Sequence, residues 1–343
     1  MKAVVIREFG GPERLSLEEI ATPEVLPGHV LIRVRACGVN RVLDVVVREG
    51  KSGFPGVRLP LISGAEPAGE VVDVGAGVNS VRPGDRVVCV PWISCGECDP
   101  CLDGKENLCQ SHQLLGVHRN GGYAEYVLVP ERSIVPIPDE VDFVQAAAAP
   151  VVFSAAWHLL VTRGRVGPDD TVLVLGASGG LGIAAIQIAK LMGARVLAAA
   201  GSDHKAKLAE SIGADVGINY TGGFAQAALE ATDGKGPTVV FESVGAPTWN
   251  DTLACVAHQG RILTCGATGG NRVELDFRAF YRKHLTLISS SNGTRAEAKV
   301  YFGHMARGAL KPVIYRTFPL EEAGKAQELL MNREHFGKIV LTT

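Results

Sequence analysis

The 343-residue chain carries 34 Lys and Arg against 36 Asp and Glu, a formal net charge of −2. This balance gives nucleic acid or an anionic membrane little electrostatic attraction, so we expect neither as a partner. Hydrophobic residues make up 46% and charged residues 20% of the chain, which excludes an intrinsically disordered protein. The length favours two domains of roughly 150 residues each.

The compartment is expected to be the cytoplasm. The first residues form too short an apolar run for a secretory signal, and no apolar stretch of about 18 residues is uninterrupted. Thiols stay reduced in the cytoplasm, so clustered cysteines indicate a metal site rather than disulfides.

The pattern of hydrophobic residues changes near Pro150. Before it, short period-two segments such as His29–Ala36 are separated by Gly and Pro, a pattern that predicts a barrel-like β domain. After it, strands alternate with helices, which implies right-handed crossovers and a doubly wound parallel sheet. The six predicted strands are 171–175, 195–200, 216–218, 238–241, 261–265 and 285–289. A final strand is predicted at Lys338–Leu341.

A glycine-rich turn joins the first of these six strands to its helix. Its residues include Gly176, Ser178, Gly179, Gly180 and Leu181. Pyrophosphate needs backbone N–H groups at a helix N-terminus and no side chain at the point of approach. The turn predicts a dinucleotide site, and the alternative is a tight turn without a ligand.

The end of the second strand bears on cofactor choice. An NAD site usually has an acidic residue there, whereas this strand ends Gly201-Ser202, with Lys205 following. A hydroxyl and an ammonium suit the 2′-phosphate of NADP, although Asp203 lies nearby. NADP is therefore predicted, and the alternative is a solvated Ser/Lys turn.

Four cysteines, Cys95, Cys98, Cys101 and Cys109, have the spacing C-x2-C-x2-C-x7-C. Four thiolates so close together predict a closed tetrahedral zinc site that is structural and leaves no position for substrate. An iron–sulfur motif would continue C-x3-C-P, which this chain does not. Disulfides are disfavoured by the expected reducing compartment.

These features together resemble the zinc-containing alcohol dehydrogenase family of the medium-chain dehydrogenase/reductase superfamily, over essentially the whole chain. Shared motifs include Gly64-Ala-Glu66, Pro83-Gly-Asp-Arg-Val, Gly122-Tyr-Ala-Glu-Tyr and Gly337-Lys-Ile-Val-Leu. The resemblance implies an α/β protein with two domains. One is a GroES-like β-barrel catalytic domain (1–150 and 292–343), and the other is a Rossmann dinucleotide-binding domain (151–291). It also implies a homodimer or homotetramer, with the strand at 285–289 able to pair across subunits.

The nucleotide half resembles the quinone reductase branch most, through Ala-Ser-Gly-Gly-Leu-Gly at 177–182 and Ile218-Asn-Tyr220. In that branch, the residues matching Ser202, Lys205 and Tyr220 hold the NADPH 2′-phosphate. The predicted cofactor-binding set is completed by Val244 and Gly266, which follow later strands.

The catalytic zinc ligands of the family do not carry over. Asn40 stands for the first cysteine, Ala65 for the histidine, and Phe153 near the third ligand. Glu66 alone remains, and one carboxylate cannot hold a zinc ion that needs about three protein ligands. The alignment around Asn40 is offset by one residue, because Asp44 falls one position late. This offset leaves Cys37 as the alternative first zinc ligand, and it is a poor substitute.

Without this metal, the hydride acceptor must be electrophilic itself or be polarised by hydrogen-bond donors. We therefore expect an NADPH-dependent reductase of quinones, enones or bulky hydrophobic ketones. Asn40, Glu66, Trp92 and Phe153 are the predicted lining of its cleft, and His158 is read as structural. Two alternatives stay open: a zinc-dependent alcohol dehydrogenase, and a catalytically silent, crystallin-like NADPH-binding protein.

Overall fold

The structure, a computed structural model, describes all 343 residues. The chain forms two compact units. The first comprises Met1–Val151, Thr294–Gly308 and Pro312–Thr343, and the second comprises Val152–Gly293 and Ala309–Lys311. None of the helices is long and apolar enough to cross a membrane.

The N-terminal part of the chain is rich in short strands. They are β1 (Lys2–Ile6), β2 (Leu15–Glu19), β3 (His29–Gly38), β4 (Leu61–Ile62), β5 (Glu66–Val74), β6 (Arg86–Cys89), β7 (Trp92–Ile93), β8 (Gln113–Leu114), β9 (Tyr126–Pro130) and β10 (Ile134–Pro136). The helices here are brief: α1 (Val46–Arg48), α2 (Asp99–Leu102) and α3 (Phe143–Ala147). A π-helical turn at Arg41–Val45 precedes α1.

Strands and helices then alternate. The helices are α4 (Pro150–Trp157), α5 (Gly180–Leu191), α6 (Asp203–Ser211), α7 (Ala225–Glu230), α8 (Trp249–Cys255) and α9 (Phe277–Arg282). The strands are β11 (Thr171–Leu175), β12 (Arg195–Ala200), β13 (Val216–Asn219), β14 (Val239–Glu242), β15 (Arg261–Thr264) and β16 (Thr286–Ser289). The chain ends with α10 (Arg295–Ala306), β17 (Ile314–Pro319), α11 (Ala323–Met331) and β18 (Lys338–Thr342).

The second unit contains a six-stranded sheet in the order β13-β12-β11-β14-β15-β16, with every pair parallel. The doubly wound Rossmann sheet predicted from the sequence is therefore confirmed. Its central strand β11 reads Val172-Leu-Val-Leu175 without alternation because both faces of the sheet are covered, and all four residues are buried.

The first unit is organised by a seven-stranded sheet in the order β10-β6-β5-β3-β18-β17, with β9 also paired to β3. Strand β9 begins only at Tyr126, because the N–H of Tyr123 donates to the carbonyl of Ser63 instead of a ladder partner. The C-terminal strand β18 runs antiparallel to β3, and this pairing brings Lys338 to the end of β3. That placement builds the candidate site.

Candidate functional site

Three polar side chains of the first unit form a buried cluster. The Lys338 ammonium lies 2.7 Å from Glu66 Oε2 and 3.0 Å from Asn40 Oδ1. Asn40 Nδ2 donates to the same Glu66 oxygen at 2.7 Å, and the N–H of Val151 donates to Glu66 Oε1 at 2.6 Å. Glu66 is fully buried, and Asn40 and Lys338 are 7% and 6% exposed. We call Asn40, Glu66 and Lys338 the polar triad.

Sheet register explains why these residues meet. Gly38, the last residue of β3, is opposite Glu66 in β5 and opposite Val340 in β18. Asn40 follows two residues after Gly38, and Lys338 begins β18. A Cβ at position 38 would lie 2.5 Å from Glu66 Oε2 and 2.4 Å from the carbonyl oxygen of Ala147, so only glycine leaves room for the carboxylate.

The chemistry of the triad fixes the orientation of the Asn40 amide. A carboxylate accepts and an ammonium donates, so Nδ2 must point to Glu66 and Oδ1 to Lys338. One Nδ2 hydrogen of Asn40 and one Nζ hydrogen of Lys338 are left beyond these bonds. The polar triad therefore has a spare amide donor and a spare cationic donor.

Asp44 holds the turn that follows Asn40. Its Oδ2 accepts from the N–H of Asn40 at 2.7 Å and from the Tyr123 hydroxyl at 3.2 Å. Its Oδ1 accepts from Ser63 Oγ at 3.0 Å and from the N–H of Gly64 at 3.1 Å. The offset noted in the sequence is absorbed by the π turn, in which the N–H of Val45 reaches the carbonyl of Asn40. One extra residue thus enters the chain while Asn40 stays fixed.

Burial raises the pKa of Asp44 to about 6. Each carboxylate oxygen accepts one backbone N–H, so in Asp44→Asn the amide NH2 faces an N–H in either orientation. We expect a loss of about 2 kcal/mol in the free energy of unfolding at pH 7, measured by denaturant titration. Asp73→Asn, at an exposed position, is the matched control and should change little.

The pH dependence of this loss has a defined sign. An unfolded aspartate has a pKa of about 3.9. As the pH falls from 6 to 4, Asp44 therefore takes up its proton in the folded chain while it stays ionised in the unfolded chain. Wild type therefore gains stability relative to Asp44→Asn as the pH falls through this window, by up to about 3 kcal/mol. If the stability that Asp44→Asn loses relative to wild type became smaller on acidification, the role given to Asp44 would be contradicted.

An apolar cluster adjoins the polar triad. Its buried members are Leu43, Val47, Leu61, Ala65, Leu114 and Val117, and half-buried Phe54, Val57, Leu59, Trp92 and Val151 pack against them. Ala65 precedes Glu66 in the chain, and Val151 also donates its N–H to Glu66. The structure thus brings Asn40 and Glu66 together and places Trp92 in the apolar cluster beside them. Phe153 lies in the second unit and is buried, and its role as cleft lining stays a prediction.

The glycine-rich turn of the second unit fits a pyrophosphate. Gly176 has φ +67°, a conformation that side chains disfavour. A Cβ at Gly182 would meet the carbonyl oxygen of Gly176 at 2.4 Å, so this glycine permits close packing of turn and helix. A Cβ at Gly179 would meet only one atom, at 3.7 Å, which leaves its face open to a ligand. Ser178, Gly180 and Leu181 are half-buried at the start of α5.

The residues predicted to select the cofactor lie where β12 and β13 end. Ser202 caps α6, its Oγ accepting from the N–H of Lys205 at 3.3 Å. The hydroxyl of Tyr220 lies 3.5 Å from the position a Cβ on Gly201 would occupy. The Asp203 carboxylate already has a partner, because its Oδ1 accepts from Asn219 Nδ2 at 2.9 Å.

Val244 and Gly266 follow β14 and β15, at the edge of the sheet where the parallel strands end. Buried Glu242 accepts from the N–H groups of Val244 and Gly245 and from the hydroxyls of Thr248 and Thr252. The loop after β14 is thereby fixed in position. Ligands of doubly wound sheets bind at this edge.

In the loop at 95–109, here called the zinc loop, Cys95, Cys98, Cys101 and Cys109 are close enough to share one ion, with sulfur atoms all within 4.8 Å of one another. The sulfur distances are 3.4 Å (Cys98–Cys101), 3.6 Å (Cys95–Cys109) and 3.9 Å (Cys95–Cys101). A tetrahedron with Zn–S bonds of about 2.3 Å has edges of about 3.8 Å, so the cluster fits zinc. Hydrogen bonds from the backbone of Glu97 and Cys98 lower the pKa of Cys95 to about 6.

Cys101→Ser should empty this site. A serine hydroxyl does not replace a thiolate ligand, so the zinc content measured by mass spectrometry should fall from one per chain to nearly none. The melting temperature should fall by roughly 5 °C as the loop loses its cross-link. Cys265→Ser, outside the cluster, should keep its zinc, and retention of zinc by Cys101→Ser would contradict the assignment.

Sequence reasoning missed Lys338 as a site residue. The sequence indicated Lys338 only as the start of a predicted strand and as part of the motif Gly337-Lys-Ile-Val-Leu, although a lysine opening a buried apolar strand is itself a signal. Its partners lie 298 and 272 residues away along the chain, so only the β3–β18 pairing reveals them.

Comparisons with known proteins agree with this architecture. The alcohol dehydrogenase GroES-like domain matches residues 26–139, and the zinc-binding dehydrogenase domain matches residues 180–307. An acryloyl-coenzyme A reductase of Metallosphaera sedula is 32% identical, with 100% of both chains covered. A quinone oxidoreductase of Rattus norvegicus is 32% identical, covering 99% of this chain and 97% of the relative. The crystal structure of an NAD-dependent alcohol dehydrogenase superposes with a TM-score of 0.96 at 41% identity, over 100% of both chains.

The Rossmann sheet, its glycine-rich turn and these relatives define an NAD(P)-dependent oxidoreductase. More particularly, the chain belongs to the medium-chain dehydrogenase/reductase superfamily. The zinc-binding dehydrogenase match and the four-cysteine cluster support a nucleotide cofactor and zinc.

Proposed function

We propose that this chain is an NADPH-dependent reductase of quinones, enones or bulky hydrophobic ketones, in which hydrogen-bond donors take the place of a catalytic zinc. The observation that carries the proposal is the polar triad, with its two spare donors beside an apolar cluster. The oxidoreductase relatives, a quinone oxidoreductase and an acryloyl-coenzyme A reductase among them, support an electrophilic acceptor.

The spare donors match the charge that such a reduction creates. When bound, the nicotinamide supplies a hydride, and negative charge then develops on the acceptor oxygen. The Asn40 amide and the Lys338 ammonium would donate to that oxygen. Fixed donors in a buried site stabilise developing charge without reorganising, and one such donor contributes a factor of about 10² to 10³ in kcat.

The ligand set of this chain supports chemistry without a second metal. The three family ligand positions hold Asn40, Ala65 and Phe153, none of them a usual zinc ligand. The four cysteines are the one group of Cys, His and carboxylate side chains close enough to hold an ion, and four thiolates leave no open coordination position.

The apolar cluster supports the substrate class. Half-buried Trp92 and Phe54 offer aromatic surface to a flat or bulky acceptor. A small alcohol would leave this surface in contact with water. Quinones, enones and bulky ketones would cover it.

The test is a panel of acceptors assayed for NADPH and NADH oxidation by the zinc-loaded enzyme. Quinones, enones and bulky ketones should be reduced, whereas ethanol with NADP should give little reverse reaction. Tight NADPH binding without turnover on any acceptor would instead favour a silent binding protein. Oxidation of simple alcohols that depends on a second zinc per chain would favour an alcohol dehydrogenase.

Cofactor selection is tested by Lys205→Ala. Loss of one charge-assisted contact to the 2′-phosphate should weaken NADPH binding about 30-fold while NADH binding changes little. The matched control is Lys207→Ala on the same helix, where the ammonium is exposed and pairs with Glu210 at 3.2 Å. Equal losses for both cofactors, or none, would contradict NADP selection through this residue. Titration of each cofactor by calorimetry gives the comparison.

The proposed assembly is a homodimer or homotetramer. Strand β16 ends the six-stranded sheet and leaves its outer backbone edge available, with Leu287 46% exposed. Pairing of two such edges would continue the sheet across subunits.

A further inference from the structure

The segment 51–59 lies against the apolar cluster and has no regular secondary structure. Phe54, Val57 and Leu59 from this segment are three of the five half-buried side chains that pack on the cluster. Under the proposed function, its attachment to the rest of the unit would set how much aromatic and aliphatic surface an acceptor meets beside the polar triad.

One hydrogen bond ties residues 52–59 to the rest of the chain. His118 Nε2 lies 3.1 Å from the carbonyl oxygen of Pro55. No backbone N–H or carbonyl of residues 52–59 takes part in a main-chain hydrogen bond with another residue. The segment is held in place by apolar contacts and by His118.

The two ring nitrogens of His118 have opposite roles. The N–H of Leu114 donates to Nδ1 at 2.9 Å, so Nδ1 is the acceptor. The Pro55 carbonyl can only accept, so Nε2 carries the hydrogen and the ring is neutral. The imidazole also meets the Phe54 ring edge to face, with centroids 6.4 Å apart. Leu114 is itself a buried member of the apolar cluster.

We propose that His118 is a positioning residue that latches the segment 51–59 against the apolar cluster and so sets the affinity for the apolar part of the substrate. The inference rests on the proposed function, since it deepens the account of that site. His118 acts through Phe54 and its neighbours and contacts the acceptor only through them. Its loss should therefore raise KM for bulky apolar acceptors and leave kcat nearly unchanged.

Two substitutions separate the latch from the fold of the turn. In His118→Asn, the amide oxygen of the new side chain can replace Nδ1 as acceptor from Leu114, but the side chain is too short to reach Pro55. The longer amide in His118→Gln can keep the donation to Pro55. We expect KM for a bulky quinone to rise about 5-fold in His118→Asn, the size of one lost hydrogen bond, and to recover in His118→Gln. His258→Asn, at an exposed position of the second unit, is the control.

A second measurement does not depend on activity. Trypsin cleavage after Lys51 and Arg58, followed by mass spectrometry, should be faster in His118→Asn than in wild type and slow again in His118→Gln. Unchanged cleavage in His118→Asn would overturn the latch, and faster cleavage with an unchanged KM would overturn its part in substrate affinity. If wild type reduced no acceptor, the proposed function would fail while the cleavage rates still decided whether His118 holds the segment.

Discussion

Replacing Lys338 with methionine should destabilise the protein by about 3–5 kcal/mol, because it leaves the Glu66 carboxylate buried without its cation. The pair is 2.7 Å apart, and the side chains of Lys338 and Glu66 are 7% and 0% exposed. Methionine keeps the length and apolar character of the lysine stem, so the loss reports the ammonium. Denaturant unfolding monitored by fluorescence measures it.

A double-mutant cycle isolates the interaction. Glu66→Gln removes the charge but keeps an amide that can accept from Val151. The double variant Lys338→Met/Glu66→Gln should lose less than the sum of the single losses, with a coupling energy of about 1–3 kcal/mol. Additive losses would show that the two charges do not stabilise one another. Arg35 and Glu70 form a half-exposed pair at 2.7 Å in the same sheet, and Arg35→Met should cost only about 0–1 kcal/mol.

Asn40→Ala should lower kcat by about 10² to 10³ for quinone or enone reduction, with NADPH affinity little changed. The substitution removes the spare amide hydrogen and the hydrogen bonds that Asn40 makes with Glu66 and Lys338. A donor that acts on the developing oxyanion is worth more in the transition state than in the ground state, so kcat falls rather than KM rising. Single-turnover NADPH oxidation measures the hydride step directly.

The control for this variant is Asn79→Ala. The Asn79 amide is exposed and donates to the carbonyl of Gly77 in the same unit. It makes no hydrogen bond with a member of the polar triad. Its kcat should match wild type. A fall in kcat of less than about three-fold in folded Asn40→Ala would remove Asn40 from the proposed chemistry.

Features with local rules were predictable from the sequence. The alternation of strands and helices after Pro150 predicted the Rossmann sheet, and the glycine-rich turn after β11 predicted the dinucleotide site, because small residues are required where backbone meets phosphate. The cysteine spacing in the zinc loop predicted a cluster that the structure brings within bonding range of one ion. Both features lie in short segments, where order along the chain and proximity in space coincide.

The polar triad was only partly predictable. Asn40 and Glu66 were proposed because they stand at family ligand positions, but Lys338 joins them through a strand pairing, 298 residues from Asn40 along the chain. The one-residue offset at Asp44 could not be resolved from spacing, since spacing does not distinguish an α turn from a π turn. The structure resolves it through the four hydrogen bonds to Asp44.

The central claim, that hydride acceptance here needs no catalytic metal, is tested most directly by counting zinc in the active enzyme. Mass spectrometry of metal content on purified chain, paired with turnover of a quinone by NADPH, should give one zinc per chain in wild type and turnover at full rate. Cys101→Ser should lose this zinc and melt at a lower temperature, as expected if the ion stabilises the fold. A second zinc per chain whose removal abolishes turnover, with the cysteine loop still loaded, would contradict the account.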